Sequence, residues 1–301
     1  SGMEVMQEHN IPSHPMDAIE VRPIQFDFDE IRNSNPVWSQ SCPDFSIFIN
    51  ALGIHVPHFE QFLVQVMRRH RQELDNPALL QDVKAIIGQE SHHAFNFTKW
   101  TKQLSSHYPG LAEIDRSAKA YFEQLFQRRD KKFQIGFTAG YETFTFLGGM
   151  IILNRYEELM ADADENLRAL WVWHQVEEVE HGAVAFDFYQ AFYGQHEGYR
   201  RYMVGYAFLH ISLETFKAYR VMLKGSRFTL KRRVLAWKFF FSFAWDLFAA
   251  SLPVYRKGYH PRHHPICNQA QNPIATAWRQ YHASGQNVKI LNQNTMQSLT
   301  Q

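Results

Sequence analysis

Two Glu-x-x-His pairs, Glu90–His93 and Glu178–His181, constrain this chain more than any other feature, because both fall on the apolar faces of long helical repeats. Of the 18 glutamates, only these two have a histidine three residues later. Chance supplies such pairs in a His-rich chain, so their placement carries the weight. At about 100° per residue, Glu90 shares a face with Leu79, Val83, Ile86, Ala94 and Phe97, and His93 lies on the edge of that stripe. An ionisable pair on a buried face costs several kcal/mol unless partners meet it. The same geometry places His174, Glu178 and His181 within roughly 60° of one another on a later helix, with Glu177 at the margin and Glu180 pointing away.

Single acids on other apolar faces supply the expected partners. Glu60 stands among Val56, Leu63, Val64 and Met67, and Glu142 among Thr138, Phe146, Gly149 and Leu153. Glu60 precedes the Asp75 turn by 15 residues and Glu90 follows Pro77 by 13, so an antiparallel hairpin brings the two carboxylates level. Glu142 precedes Asp162 by 20 residues and Glu178 follows Asp164 by 14, a looser match. The connection from 106 to 134 is long enough to cross over a bundle and to carry its own helix. The resulting order, Glu…Glu-x-x-His…crossover…Glu…Glu-x-x-His, is the pattern of a carboxylate-bridged dinuclear metal site in a ferritin-like bundle. The chemistry asks for it: two divalent cations about 3.5–4 Å apart repel, and four carboxylates bring the pair near neutrality in a low-dielectric interior. Glu60, Glu90, His93, Glu142, Glu178 and His181 are therefore the expected ligands of two divalent metals, iron with manganese as the alternative.

The rest of the chain suits an all-α fold. Helical periodicity runs almost unbroken from residue 43, with helices predicted at about 56–74, 77–105, 110–133, 135–160, 164–193, 199–223 and 229–251. The expected architecture is a ferritin-like four-helix bundle with a long crossover helix plus two extra C-terminal helices. Three segments are expected: a proline-containing extended arm over 1–42, a ferritin-like domain over 43–255 and a polar tail over 256–301, ending in a short helix and a mobile Gln/Asn-rich end. Asp164 reads as a helix N-cap and Pro77 as a first helical residue. The 31 Lys+Arg against 30 Asp+Glu leave no basic excess for nucleic acid. Two cysteines, Cys42 and Cys267, make no disulfide scaffold and fit a reducing compartment. No apolar signal core follows the N-terminus, and Ser1-Gly2 before Met3 reads as an expression remnant. Residues 234–256 are the most apolar stretch, but Lys238, Asp246 and Pro253 favour a buried or partly lipid-facing helix over a span. The expected location is cytoplasmic, with peripheral membrane association open. His55, His58, His70, His92, His107 and His210 read as ordinary surface or core residues, and the cluster His260, His263, His264 as solvated tail.

IGQESHH (87–93), FTAGYETFT (137–145) and WHQVEEVEHGAVAFDFY (173–189) resemble the bacterial proteins known as predicted metal-dependent hydrolases, a family of the ferritin-like group. PHFEQF (57–62) and YRKGYHP (255–261) extend the likeness, which covers about residues 20–265. The ligand set is also similar to that of the di-iron arylamine N-oxygenases, which have three histidines. That likeness implies His174 as a seventh ligand and Glu177 as a catalytic acid, either supporting the ligands or replacing one.

Three functions follow as expectations. The foremost is an oxidoreductase of oxygenase type, acting on a small hydrophobic or aromatic substrate with an electron donor. The second is a hydrolase in which two metals activate a water, as the family's description says. The third is metal storage or a structural metal. The apolar helix near 234–252 could also supply a homodimer contact.

Overall fold

The computed structural model describes residues 14–267 and 271–300; Ser1-Gly2 and the rest of the arm before His14 lie outside them. All regular structure among the described residues is helical, apart from one isolated bridge between Ser39 and Ala163. After a single turn, α1 (Phe28–Ile31), come α2 (Pro43–His70), α3 (Pro77–Ser105), α4 (Leu111–Arg128) and α5 (Lys131–Asn154). There follow α6 (Tyr156–Met160), α7 (Glu165–Glu180), α8 (Val184–Tyr193), α9 (Glu197–Gly225) and α10 (Leu230–Ser251). Two further helices, α11 (Pro273–Ala283) and α12 (Gln293–Thr300), fold the tail.

Local chemistry sets these boundaries. The Asn76 side chain accepts from Leu79 N at 3.1 Å and opens α3 ahead of Pro77. Asp130 caps α5 through Phe133 N at 2.9 Å, and Asp164 caps α7 through Asn166 and Leu167. Each such cap is worth about 1 kcal/mol. The connection between α3 and α5 carries α4, which packs against α2. α2 pairs with α3, α5 pairs with α7, and α9 lies across α5 and α2. The α5–α9 approach depends on Gly140: a Cβ there would stand 2.4 Å from the Met203 carbonyl oxygen.

Three expected boundaries differ. α2 begins at Pro43 rather than near 56 and runs through Pro57. An interior proline costs about 3 kcal/mol, but Phe45, Ile47, Phe48, Ile49, Ile54 and Val56 are all buried in the same run. At about 1.5–3 kcal/mol each, their burial outweighs the proline. The helix expected over 135–160 breaks at Arg155, leaving α6 as a separate turn. The helix expected over 164–193 breaks between His181 and Ala183. Gly182 sits there against Phe146, with room for no Cβ (2.6 Å to Phe146 Cδ2).

The described parts of both the arm and the tail enter the core. Arg22, Ile24, Phe26, Ile31 and Trp38 of the arm are buried, and so are Trp278 and Leu291 of the tail. Asn96 on α3 ties the arm down, accepting from Phe26 N at 3.0 Å and donating to the Ile24 carbonyl at 2.9 Å.

Candidate metal centre

Glu60 comes from α2, Glu90 and His93 from α3, Glu142 from α5, and His174 and Glu178 from α7, with His181 at its C-cap. All seven are buried. The α5–α7 hairpin brings its acids level because α5 stops at Asn154: Glu142 lies 154 − 142 = 12 residues before that end, and Glu178 lies 178 − 165 = 13 after the start of α7. The extra length before Asp162 is taken up by α6 and its turns.

The side chains form two groups that share Glu178. In one, donor atoms of Glu60, His93, His174 and Glu178 all lie within 4.8 Å of one another; in the other, those of Glu90, Glu142, Glu178 and His181 do. His93 Nδ1 lies 3.0 Å from Glu60 Oε2 and 3.2 Å from Glu178 Oε1, and His174 Nε2 lies 3.2 Å from the same Glu178 oxygen. On the other side, His181 Nε2 lies 3.0 Å from Glu178 Oε2, 2.8 Å from Glu90 Oε1 and 3.4 Å from Glu142 Oε2.

The electrostatics of this cluster call for cations. Glu60 Oε1 and both oxygens of Glu90 and of Glu142 make no hydrogen bond, although all are buried. Among the described residues no Lys or Arg forms an ion pair with Glu60, Glu90, Glu142 or Glu178. Two carboxylates about 4 Å apart repel by about 4 kcal/mol at an effective dielectric of 20. Burial and the neighbouring Glu178 and Glu60 charges accordingly push the Glu90 carboxyl well above its usual range. Burial and Glu178 raise Glu142 to about 7. Burial would raise Glu178 too, but His181 and His174 outweigh it and hold that carboxyl well below its usual range. Burial opposes charge on His93, yet hydrogen bonds to Glu177, Glu178 and Glu60 lift it well above the ordinary imidazole value. A donor set of buried carboxylate and imidazole with unbonded oxygens converging on two points fits divalent metal ions.

A second layer holds the rings. Glu177 Oε1 accepts from His93 Nε2 at 2.8 Å, and Glu177 Oε2 accepts from Arg22 at 2.7 Å. Gln89 Oε1 accepts from His181 Nδ1 at 2.6 Å, while Gln89 Nε2 donates to Glu180 at 3.0 Å. Glu180 also accepts from Arg22 at 2.8 and 2.9 Å and from Arg279 at 2.9 Å. The outer acids thus have arginines, and the inner acids do not. Glu177, expected as an acid that either supports the ligands or replaces one, has both oxygens engaged behind His93, where it supports that ring. Sequence reasoning did not find Arg22, Gln89, Glu180 or Arg279. Gln89, adjacent to Glu90 inside the motif, was the one readable signal; Arg22 and Arg279 arrive from distant segments.

Beside the cluster lies an apolar cavity of about 40 Å³, room for roughly two or three waters. Its wall includes His174, Gln175, Tyr141, Trp171, Phe243 and Leu247. The other histidines stand apart. His58 pairs with Asp115 at 2.6 Å and His70 with Gln134 at 3.0 Å, while His55 and His210 sit among aromatic rings. In the tail, His260 meets Asp187 at 2.8 Å and His264 is buried and donates to the Ala250 carbonyl at 2.7 Å, while His263 is exposed, so the cluster is only in part the solvated tail expected.

No curated protein and no solved structure matches the chain. A family model does, over residues 20–265, a span containing all seven clustered residues and their supports Arg22, Glu177 and Gln89. The chain therefore belongs to the family described as predicted metal-dependent hydrolases.

Proposed function

We propose that this protein is a dinuclear metal oxidoreductase of ferritin-like architecture, holding two iron (or manganese) ions and acting on a small apolar or aromatic substrate. The observation that carries the reading is the pair of buried His/Glu groups joined by Glu178, with five unbonded carboxylate oxygens and, among the described residues, no arginine or lysine paired with them. Glu60, His93 and His174 would hold one ion, and Glu90, Glu142 and His181 the other, with Glu178 between them. When bound, such a pair supplies redox chemistry with dioxygen.

The chain's own residues orient and exclude. Glu177 accepts a hydrogen bond from His93 Nε2 and so turns its Nδ1 inward, and Gln89 accepts one from His181 Nδ1 and so turns its Nε2 inward. His174 has no such support, since its Nδ1 is buried and unbonded. Trp171, Phe97 and Phe243 keep bulk water from the cavity. A substrate larger than a few waters requires side chains of that wall to move, and α10 contributes two of them.

Hydrolysis is the second reading, favoured by the family description. Against it stands the cavity wall, which offers few polar groups to receive a developing oxyanion. The test is to load the protein anaerobically with ferrous iron and then admit dioxygen. Oxygen uptake coupled to a reductant, with a transient near-visible absorption, supports the oxidoreductase. Inertness to oxygen together with turnover of ester or amide libraries supports the hydrolase.

A further inference from the structure

The helices α9 and α10 turn an apolar face outward. Val234, Phe241, Trp245 and Phe248 of α10 and Leu252 just past its end are exposed, Trp245 by 66% and Phe241 by 60%. With Lys238 they recur every three or four residues, which makes one stripe along the helix. Leu209 and Leu213 of the neighbouring α9 are exposed as well, by 62% and 61%. The two helices are joined by Phe208 against Phe248 at 5.7 Å and Phe216 against Trp237 at 4.9 Å. Soluble surfaces scatter large apolar residues singly, and a continuous band of them marks an interaction site.

One end of this band is basic. From Lys217 to Lys238 the chain has eight Lys/Arg and no Asp/Glu, in a protein whose net charge is +1. Arg220, Lys224, Arg227, Lys231, Arg233 and Lys238 are exposed there. The nearby acids are already engaged: Glu214 by Lys217 at 3.0 Å, Asp246 by Arg155 at 3.2 Å and Asp44 by Arg232 at 2.7 Å. Lys231, Arg232 and Arg233 also crowd the start of α10 with no acid in its first turn, where the helix dipole disfavours cations. An external anionic surface relieves that conflict.

We propose that the α9–α10 face docks on an anionic lipid bilayer, with α10 lying in the interface and the basic end of the band against lipid phosphates. Leu230–Tyr255 has the length and composition of a membrane span, yet only 28% of its apolar window is buried in the protein. Spanning would strip its inner face, where Phe243 packs on Phe48 at 4.7 Å and Ala236 accepts from the Tyr219 hydroxyl at 2.6 Å. A second copy on this face would bring no free acid to meet the cations, whereas anionic headgroups do. Docking also sets the cavity against the bilayer, since Phe243 and Leu247 on the underside of α10 form part of its wall.

The test is co-sedimentation of the full chain with phosphatidylcholine vesicles, with and without phosphatidylglycerol. Binding at least ten-fold tighter to the anionic vesicles, and weakened by salt, is expected. Lys231→Ala combined with Arg233→Ala should weaken it about twenty-five-fold, about five-fold per basic residue. Trp245→Glu should abolish it while metal content and helical circular dichroism stay unchanged. Equal binding of the Trp245→Glu variant overturns the proposal, as does failure of the wild-type chain to bind anionic vesicles. So does a dimer in solution that Trp245→Glu converts to monomer, because a second copy would then own the face.

Discussion

Glu177 sits behind His93 and not among the clustered carboxylates: its Oε1 accepts from His93 Nε2 at 2.8 Å while Arg22 holds its other oxygen at 2.7 Å. A salt bridge from the N-terminal arm thereby fixes the ring orientation of a candidate ligand on α3. Losing such a support typically costs 10–100-fold in metal affinity. Glu177→Gln and Arg22→Ala should each weaken metal binding by about that factor. Titration with a chelator of known affinity, on variants whose helical signal is retained, measures it.

His174 differs from His93 and His181 in having no partner on its outward nitrogen. His174→Ala should therefore leave most of the bound metal in place, whereas His93→Ala should remove at least one ion per chain. The comparison needs only elemental analysis of the two variants after identical loading.

Metal uptake should release protons. At neutral pH, Glu142, raised to about 7 by burial and by Glu178, is partly protonated, and Glu90 lies well above its usual range for the same reasons. Against the effect of burial, hydrogen bonds to Glu177, Glu178 and Glu60 lift the His93 imidazole well above its usual range. A protonated oxygen or nitrogen cannot ligate, so affinity rises as pH rises through 7 and falls below it. Calorimetric titration in buffers of different ionisation enthalpy reports the proton count; uptake with no proton release would contradict the assigned donor atoms.

Much of this site was legible because buried acids on apolar helix faces are costly and therefore informative. Glu90 and Glu178 are marked by the Glu-x-x-His spacing and, like Glu60 and Glu142, by periodicity, and counting from the turns predicts that Glu60 and Glu90 are level. The Glu142–Glu178 offset was misjudged because nothing local marks the break at Arg155. The break after His181 was equally hidden: it turns on Gly182 meeting Phe146, a contact between helices. Arg22 and Arg279 were invisible for the same kind of reason, since their partner Glu180 lies more than 90 residues from either. Tertiary contact chose those partners, and periodicity within one helix carries no record of it.

The cavity offers a separate handle on substrate. Gly148 lines it, and a Cβ there would meet only Leu247 at 3.7 Å. Gly148→Val should fill part of the space with a fold cost of about 1–3 kcal/mol. It should lower turnover of apolar substrates at least ten-fold while metal content stays at the wild-type value. Unchanged turnover would move the substrate elsewhere.

Glu178 gives the most direct test, because it alone belongs to both groups. The measurement is metal content per chain after anaerobic loading with ferrous iron, for the wild type and for Glu178→Ala. The account predicts two ions in the wild type and loss of both in the variant, with the helices intact. A wild type that takes up one ion or none, or a variant that keeps both, would contradict it.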